Sequence, residues 1–130
     1  MTKNTAILLV NMGSPRSERE MRSFLKAMFS DKAIIPLPSP ARWILSRLIS
    51  NLRYKASWKK YQLIGGSPLV EDTEATAQAL ASTYQLNVFT AYSYIKPSVL
   101  EQMKLIKNNG FKHLCVISMY PQDSYTTTAS

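Results

Sequence analysis

Residues 6–15, AILLVNMGSP, constrain the chain more than any other stretch. Five apolar residues in a row, with no polar alternation, run straight into Asn-Met-Gly-Ser-Pro. An unbroken apolar run closed by Gly and Pro reads as a strand buried on both faces. Residues 16–29 follow with helical spacing, so the pair predicts the opening β-turn-α of a parallel sheet. In open α/β sheets ligands sit outside the carboxyl ends of the strands, which places Asn11, Met12, Gly13 and Ser14 on the rim of a site. The same ten residues equally satisfy a plain core strand with an ordinary turn. GSP is too short for a phosphate fingerprint, and neither a dinucleotide glycine pattern nor a P-loop Gly-Lys-Ser/Thr occurs.

The following elements extend the pattern. Ser17 is a candidate N-cap with Glu20 in capping-box spacing. Met21, Phe24, Leu25 and Met28 then recur at three- and four-residue steps, a stripe that packs on a sheet rather than a soft-metal box. Three prolines within residues 36–40 forbid a helix there, and residues 41–50 can be helical. Trp43, Ile44, Leu45, Leu48 and Ile49 give that segment an apolar flank, edged by Arg42 and Arg47. A Pro-rich apolar loop leading into a Trp/Arg helix suits a bilayer interface, the lip of an apolar pocket, or a helix folded back onto the core.

Residues 51–63 interleave Arg53, Lys55, Lys59 and Lys60 with Tyr54, Trp58 and Tyr61, a mixture that can bind nucleic acid. At helical spacing the three aromatics instead share one packing side and the lysines are solvated. Residues 64–68, IGGSP, break the chain sharply: two glycines permit a close backbone approach, and Ser67 adds a hydroxyl. An alanine-rich helix is expected over 72–84 and a strand over 86–94, ending in Tyr92, Ser93 and Tyr94. Residues 98–108 predict a helix with Val99, Met103 and Ile106 facing in, closed by Asn-Asn-Gly. A third strand over 113–119 leads into Tyr120 and the hydroxyl-rich stretch to Ser130, which looks like a helix start with no helix behind it and implies a truncated chain.

Size and composition bound what such elements can build. The 130 residues, 45% of them apolar, suffice for one domain with a core. No apolar run reaches the roughly 18 residues of a spanning helix, and the N-terminus lacks a small-residue cleavage site. The single cysteine, Cys115, excludes an intramolecular disulfide and fits a reducing compartment. Inside the run LCVIS it reads as a buried structural thiol, with no second cysteine to support an iron–sulfur cluster. The lone histidine, His113, falls at the amino end of its strand, the wrong end for chemistry, and no His, Cys, Asp or Glu cluster has metal-ligand spacing.

Charge is uneven. The first 60 residues hold 12 of the 16 Lys and Arg against three acids, a net +9, whereas the rest carries −1. That asymmetry suits nucleic acid, a membrane surface or a carboxylate- or phosphate-bearing ligand, or else a plainly solvated basic face. Three strand ends, at residues 11–14, 92–94 and 120–128, should meet on one rim rich in hydroxyls and aromatic rings and without a histidine–carboxylate pair. Such a rim is good at holding a large, flat, partly polar ligand and poor at moving protons.

At this point the residues resemble a known family. LLVNMGSP (8–15), FLKAMFSDKAIIPLP (24–38), Arg53 and Tyr61 leading into IGGSPL (64–69), YSYIKP (92–97) and MYPQDSYTTTAS (119–130) are similar, in order, to the amino-terminal half of ferrochelatase, which inserts ferrous iron into a porphyrin. The resemblance implies an α/β, Rossmann-like three-layer sandwich with a parallel sheet, residues 1–130 being the first domain of two. It implies that Met12 faces the porphyrin plane, with Ser14, Lys60, Tyr120 and Ser124 in the same site. Arg53, Tyr61 and Ser67 then hold the macrocycle or its propionates, and Tyr94 ends the second strand as the family's tyrosine does. Ile34, Ile35, Leu37, Trp43, Ile44 and Leu45 resemble a hydrophobic lip over the pocket mouth, within a segment of about residues 34–50.

The same resemblance places the metal-handling histidine and glutamate in a second half, so that no catalytic residue and no metal ligand is expected here. It implies ferrous iron and porphyrin as substrates, no further cofactor and no iron–sulfur cluster, and no nucleic-acid partner. A cytoplasmic location follows, with peripheral attachment to the inner face of a membrane; Met12 and the long lip lean towards protoporphyrin over coproporphyrin. Three positions depart from the pattern: Asp123 stands where an aromatic is usual, Ala129 where Gly is frequent, and Ser93 where many relatives carry Arg. A non-catalytic flavodoxin-like module that binds an anionic ligand or a membrane surface is the alternative.

Overall fold

The computed structural model describes residues 2–121 and 124, which divide into two compact units, one of residues 2–13 with 68–120, the other of residues 14–67 with 121 and 124. The first is a three-layer α/β unit. Strand β1 (Thr5–Asn11) lies at the centre of a parallel sheet of order β2-β1-β3, flanked by β2 (Asn87–Tyr92) and β3 (His113–Ser118). The apolar run of β1 is continuous because both its faces are covered. Ala6, Leu8 and Ala91 pack with Ile106 of helix α4 (Val99–Asn108), and pleating turns Leu9 and Asn11 to the opposite face. On that face the Asn11 amide donates to the hydroxyl of Thr73 in helix α3 (Leu69–Tyr84) at 2.8 Å. Leu8 and Leu9, adjacent in sequence and pointing opposite ways, both have no exposed surface.

Helix α4 starts where the sequence places it. Ser98 caps it through a complete box, its hydroxyl accepting from the Glu101 N–H while the Glu101 carboxylate accepts from the Ser98 N–H. Val99 and Ile106 face the sheet as expected, whereas Met103 is 45% exposed. Helix α3 begins at Leu69, three residues before its expected start.

The second unit is a pair of packed helices, α1 (Glu18–Ser30) and α2 (Ser39–Leu63). Ser17 caps α1 by accepting from the Glu20 N–H, but the box is half-made, since the Glu20 carboxylate receives Arg16 at 3.0 Å. Of the expected stripe Met21, Phe24 and Leu25 are buried and Met28 is half-buried, and among the described residues the element this helix packs on is α2 rather than a sheet. Helix α2 differs from expectation: residues 41–50 and 51–63 form one helix of 25 residues. No Gly or Pro separates them, and Pro40 is tolerated because the first helical turn has no N–H partner to lose. The helix ends at the glycine pair, where Gly65 and Gly66 take φ of 78° and 89° and the Gly66 N–H returns to the Tyr61 carbonyl at 2.8 Å.

One expectation is overturned. Cys115 is exposed, as is every residue of β3. Its apolar neighbours suggest burial, but among the described residues no helix layer covers β3, and an apolar strand leaves water only where something packs on it.

Candidate functional site

Because the three strands are parallel, their carboxyl ends share one edge of the sheet. The turn after β1 is built there from its own backbone. Asn11 Oδ1 accepts from the Gly13 N–H at 2.8 Å, an Asx turn that reverses the chain. Gly13 adopts φ of 79°, and a Cβ on it would lie 2.5 Å from Ile95 Cγ1 and 3.0 Å from Tyr92 Cβ, so only glycine fits. The chain after β2 is laced to this turn: Ser93 N–H donates to the Asn11 carbonyl at 2.9 Å and Tyr94 N–H to the Met12 carbonyl at 3.2 Å. Met119 N–H donates to the Val10 carbonyl at 2.8 Å, which brings Tyr120 to the same edge.

Of the residues expected at the rim, Met12 and Tyr94 are therefore neighbours, with Met12 half-buried and Tyr94 buried. Ser14 is 3% exposed, and its hydroxyl has no hydrogen-bond partner among the described residues. A buried hydroxyl left unpaired costs about 1–3 kcal/mol and calls for an explanation, a ligand or a water.

Two rim residues turn out to be structural. Asn11, 2% exposed, spends its amide on Thr73 and on the Gly13 N–H. The Tyr92 hydroxyl, on a side chain 1% exposed, donates to Glu74 Oε1 at 2.8 Å, which also accepts from the Thr90 hydroxyl at 2.6 Å. Glu74 was not singled out by sequence, because nothing local to a polar helix position reveals that two strand hydroxyls lie beneath it.

In the second unit Arg53, Lys60 and Tyr61 ride on α2. Arg53 and Lys60 are seven positions apart and so share a face, about 10 Å apart along the axis; both are exposed, and Tyr61 is half-buried. Tyr54, Trp58 and Tyr61 are half-buried while Lys55 and Lys59 are exposed, as helical spacing suggests. Ser67 is half-buried just past the glycine pair, and Ser124 is exposed. In the lip segment Leu37, Trp43, Ile44 and Leu48 are exposed, by 41–61%, whereas Ile34, Ile35 and Leu45 are half-buried. Asp123 and Ala129 lie outside the described residues. His113 is exposed at the amino end of β3, as expected. Among the described residues no helix is long and apolar enough to cross a membrane.

A parallel sheet with helices packed on β1 and β2 and an Asx-turned, glycine-dependent strand end defines a Rossmann-like α/β domain that gathers polar and aromatic groups at its carboxyl edge. The ferrochelatase family model matches residues 4–130, and the chain belongs to that family. Ferrochelatase of Rickettsia bellii (strain OSU 85-389) is 43% identical over 135 residues, 98% of this chain and 38% of that protein. Those of Rickettsia felis and Hyphomonas neptunium are 39% and 34% identical over the whole of this chain, and 40% and 39% of their own lengths. The chain thus spans about two fifths of the length of these curated relatives.

Proposed function

We propose that these 130 residues bind a porphyrin on behalf of a ferrochelatase, with ferrous iron and the porphyrin as substrates and no resident cofactor in this part. The family match over residues 4–130 carries the reading. The unpaired Ser14 hydroxyl, two residues beyond Met12, supports it locally as a donor awaiting a polar ligand edge. Met12 and Tyr94 supply a thioether and a ring at one strand edge, suited to the face of a flat macrocycle. Arg53, exposed on α2, can pair a propionate through a bidentate fork, with Lys60 on the same face as a second cation. The exposed lip residues Leu37, Trp43 and Ile44 favour a cytoplasmic protein resting on the inner face of a membrane, where an insoluble ring is delivered. Iron insertion is assigned outside these residues, since the general-base chemistry of pyrrole deprotonation finds no histidine at the carboxyl edge.

Titration of the chain with a dicarboxylic porphyrin, followed in the Soret band, tests this. Saturable binding is expected, weakened about tenfold or more by Arg53→Ala, the worth of one charge-assisted contact. Tyr61→Ala should weaken it as well. An unchanged Soret band would overturn the reading, and turnover of ferrous iron above the uncatalysed rate would overturn the placement of the chemistry.

A further inference from the structure

A different feature of the helix pair has no part in that reading. Between α1 and α2 lies a hollow of about 250 Å³ whose lining is polar and contains no acid. Arg19, Arg22 and Lys26 reach it from α1, and Arg47 and Asn51 from α2. The spacing makes this a built arrangement: positions 19, 22 and 26 fall on one face of α1, and 47 and 51 on one face of α2. Arg22 is oriented by its own hydrogen bond, Nε donating to Asn51 Oδ1 at 2.8 Å, which leaves its terminal N–H groups and the Asn51 NH₂ as donors. Arg47 is fixed from the other side, its guanidinium lying 4.1 Å from the centre of the Trp43 ring.

None of these four cations forms an ion pair among the described residues, although the same helix offers Glu20 to Arg16. Four like charges around one small hollow repel one another unless an anion sits among them. The serines of the lining supply no counter-charge, since Ser23 and Ser50 donate their hydroxyls to the carbonyls of Arg19 and Arg47.

We propose that this hollow binds a phosphate-type oxyanion, a phosphate monoester, a diphosphate or a lipid headgroup phosphate. Guanidinium groups on two helices and an amide donor match the several acceptor oxygens of a tetrahedral phosphate, where a carboxylate offers only two. The inference goes beyond the porphyrin reading: Arg53, Lys60 and Tyr61 do not line the hollow.

The test uses the full chain and the paired substitution Arg19→Gln with Lys26→Gln. Among the described residues neither side chain makes a hydrogen bond that its loss would break, so folding is expected to survive, and circular dichroism checks it. A matched control, Lys104→Gln with Lys107→Gln on α4, removes the same charge away from the hollow. Inorganic pyrophosphate is titrated calorimetrically, and vesicles of phosphatidylcholine with or without phosphatidylglycerol are co-sedimented. The expected result is binding weakened about tenfold or more in the paired variant and little changed in the control. If the loss appears with pyrophosphate, the ligand is a free phosphate compound; if only with phosphatidylglycerol vesicles, it is a headgroup at a membrane surface. Binding of neither probe, or equal loss in the control, would overturn the proposal.

Discussion

β2 and β3 flank the same central strand, run parallel to it and are six residues long, yet one is half-buried to buried along its length and the other bare. Helices α3 and α4 pack on β2, whose last three residues, Thr90, Ala91 and Tyr92, are buried. β3 is held by its ladder to β1, and all six of its residues are exposed. The ladder satisfies backbone groups on both sides equally well. Burial is a separate matter, supplied here by helix coverage, and it is burial that removes apolar surface from water.

One row across the sheet makes the difference measurable. Leu8 pairs with Phe89 on one side and Val116 on the other. Leu8 has no exposed surface, Phe89 is half-buried against Phe111 with ring centres 5.8 Å apart, and Val116 is 53% exposed. Urea unfolding should rank the three truncations in that order. Leu8→Ala should cost about 3 kcal/mol, within the usual range for a fully buried leucine. Phe89→Ala should cost about 2 kcal/mol, discounted for its partial exposure, and Val116→Ala less than about 1 kcal/mol. Equal costs for Leu8 and Val116 would break the comparison.

A reactivity measurement sharpens the same contrast without touching stability. Cys115 on β3 should be alkylated by iodoacetamide in the native protein, at the rate of an accessible thiol and in full stoichiometry. A thiol buried in a core would wait for unfolding, slower by the folding equilibrium constant, about a thousandfold or more. Native protection of Cys115 would mean that β3 is covered after all.

These particulars show which parts of the molecule were legible beforehand. β1 was readable because residues 6–10 are apolar without interruption, and α4 because Val99, Met103 and Ile106 recur at helical spacing ahead of Asn-Asn-Gly. The turn at Gly13 was readable as a strand end. The division at residue 50 was not, because it followed a change of composition, and composition alone does not stop a helix lacking Gly or Pro. Cys115 was misread for a deeper reason: an apolar strand carries no local mark of whether a helix lies over it. Met12, Ser14 and Tyr94 were singled out from position at strand ends, and the backbone bond from Tyr94 to Met12 is the part of that grouping the structure displays. Glu74 escaped because its partners Thr90 and Tyr92 are sixteen and eighteen residues away.

The smallest expected effect concerns the helix that keeps β1 unlike β3. The hydrogen bond donated by the Ser98 backbone N–H holds the Glu101 carboxyl below its ordinary value of 4.5, helped by the charges of Lys96 and Lys104. A carboxyl whose folded value is depressed contributes stability above its unfolded value and loses it as pH falls through the folded one. Glu101→Gln removes the charge while a glutamine can still reach back to the cap. Amide exchange in α4 should therefore be slightly faster in the variant near pH 7, and the gap should close as pH falls through the depressed folded value and the wild-type carboxyl protonates. Because α4 covers the face that holds Ala6 and Leu8, a faint echo of the same difference is expected at β1 amides and none at β3. An equal response in both strands would show that α4 does not account for their difference.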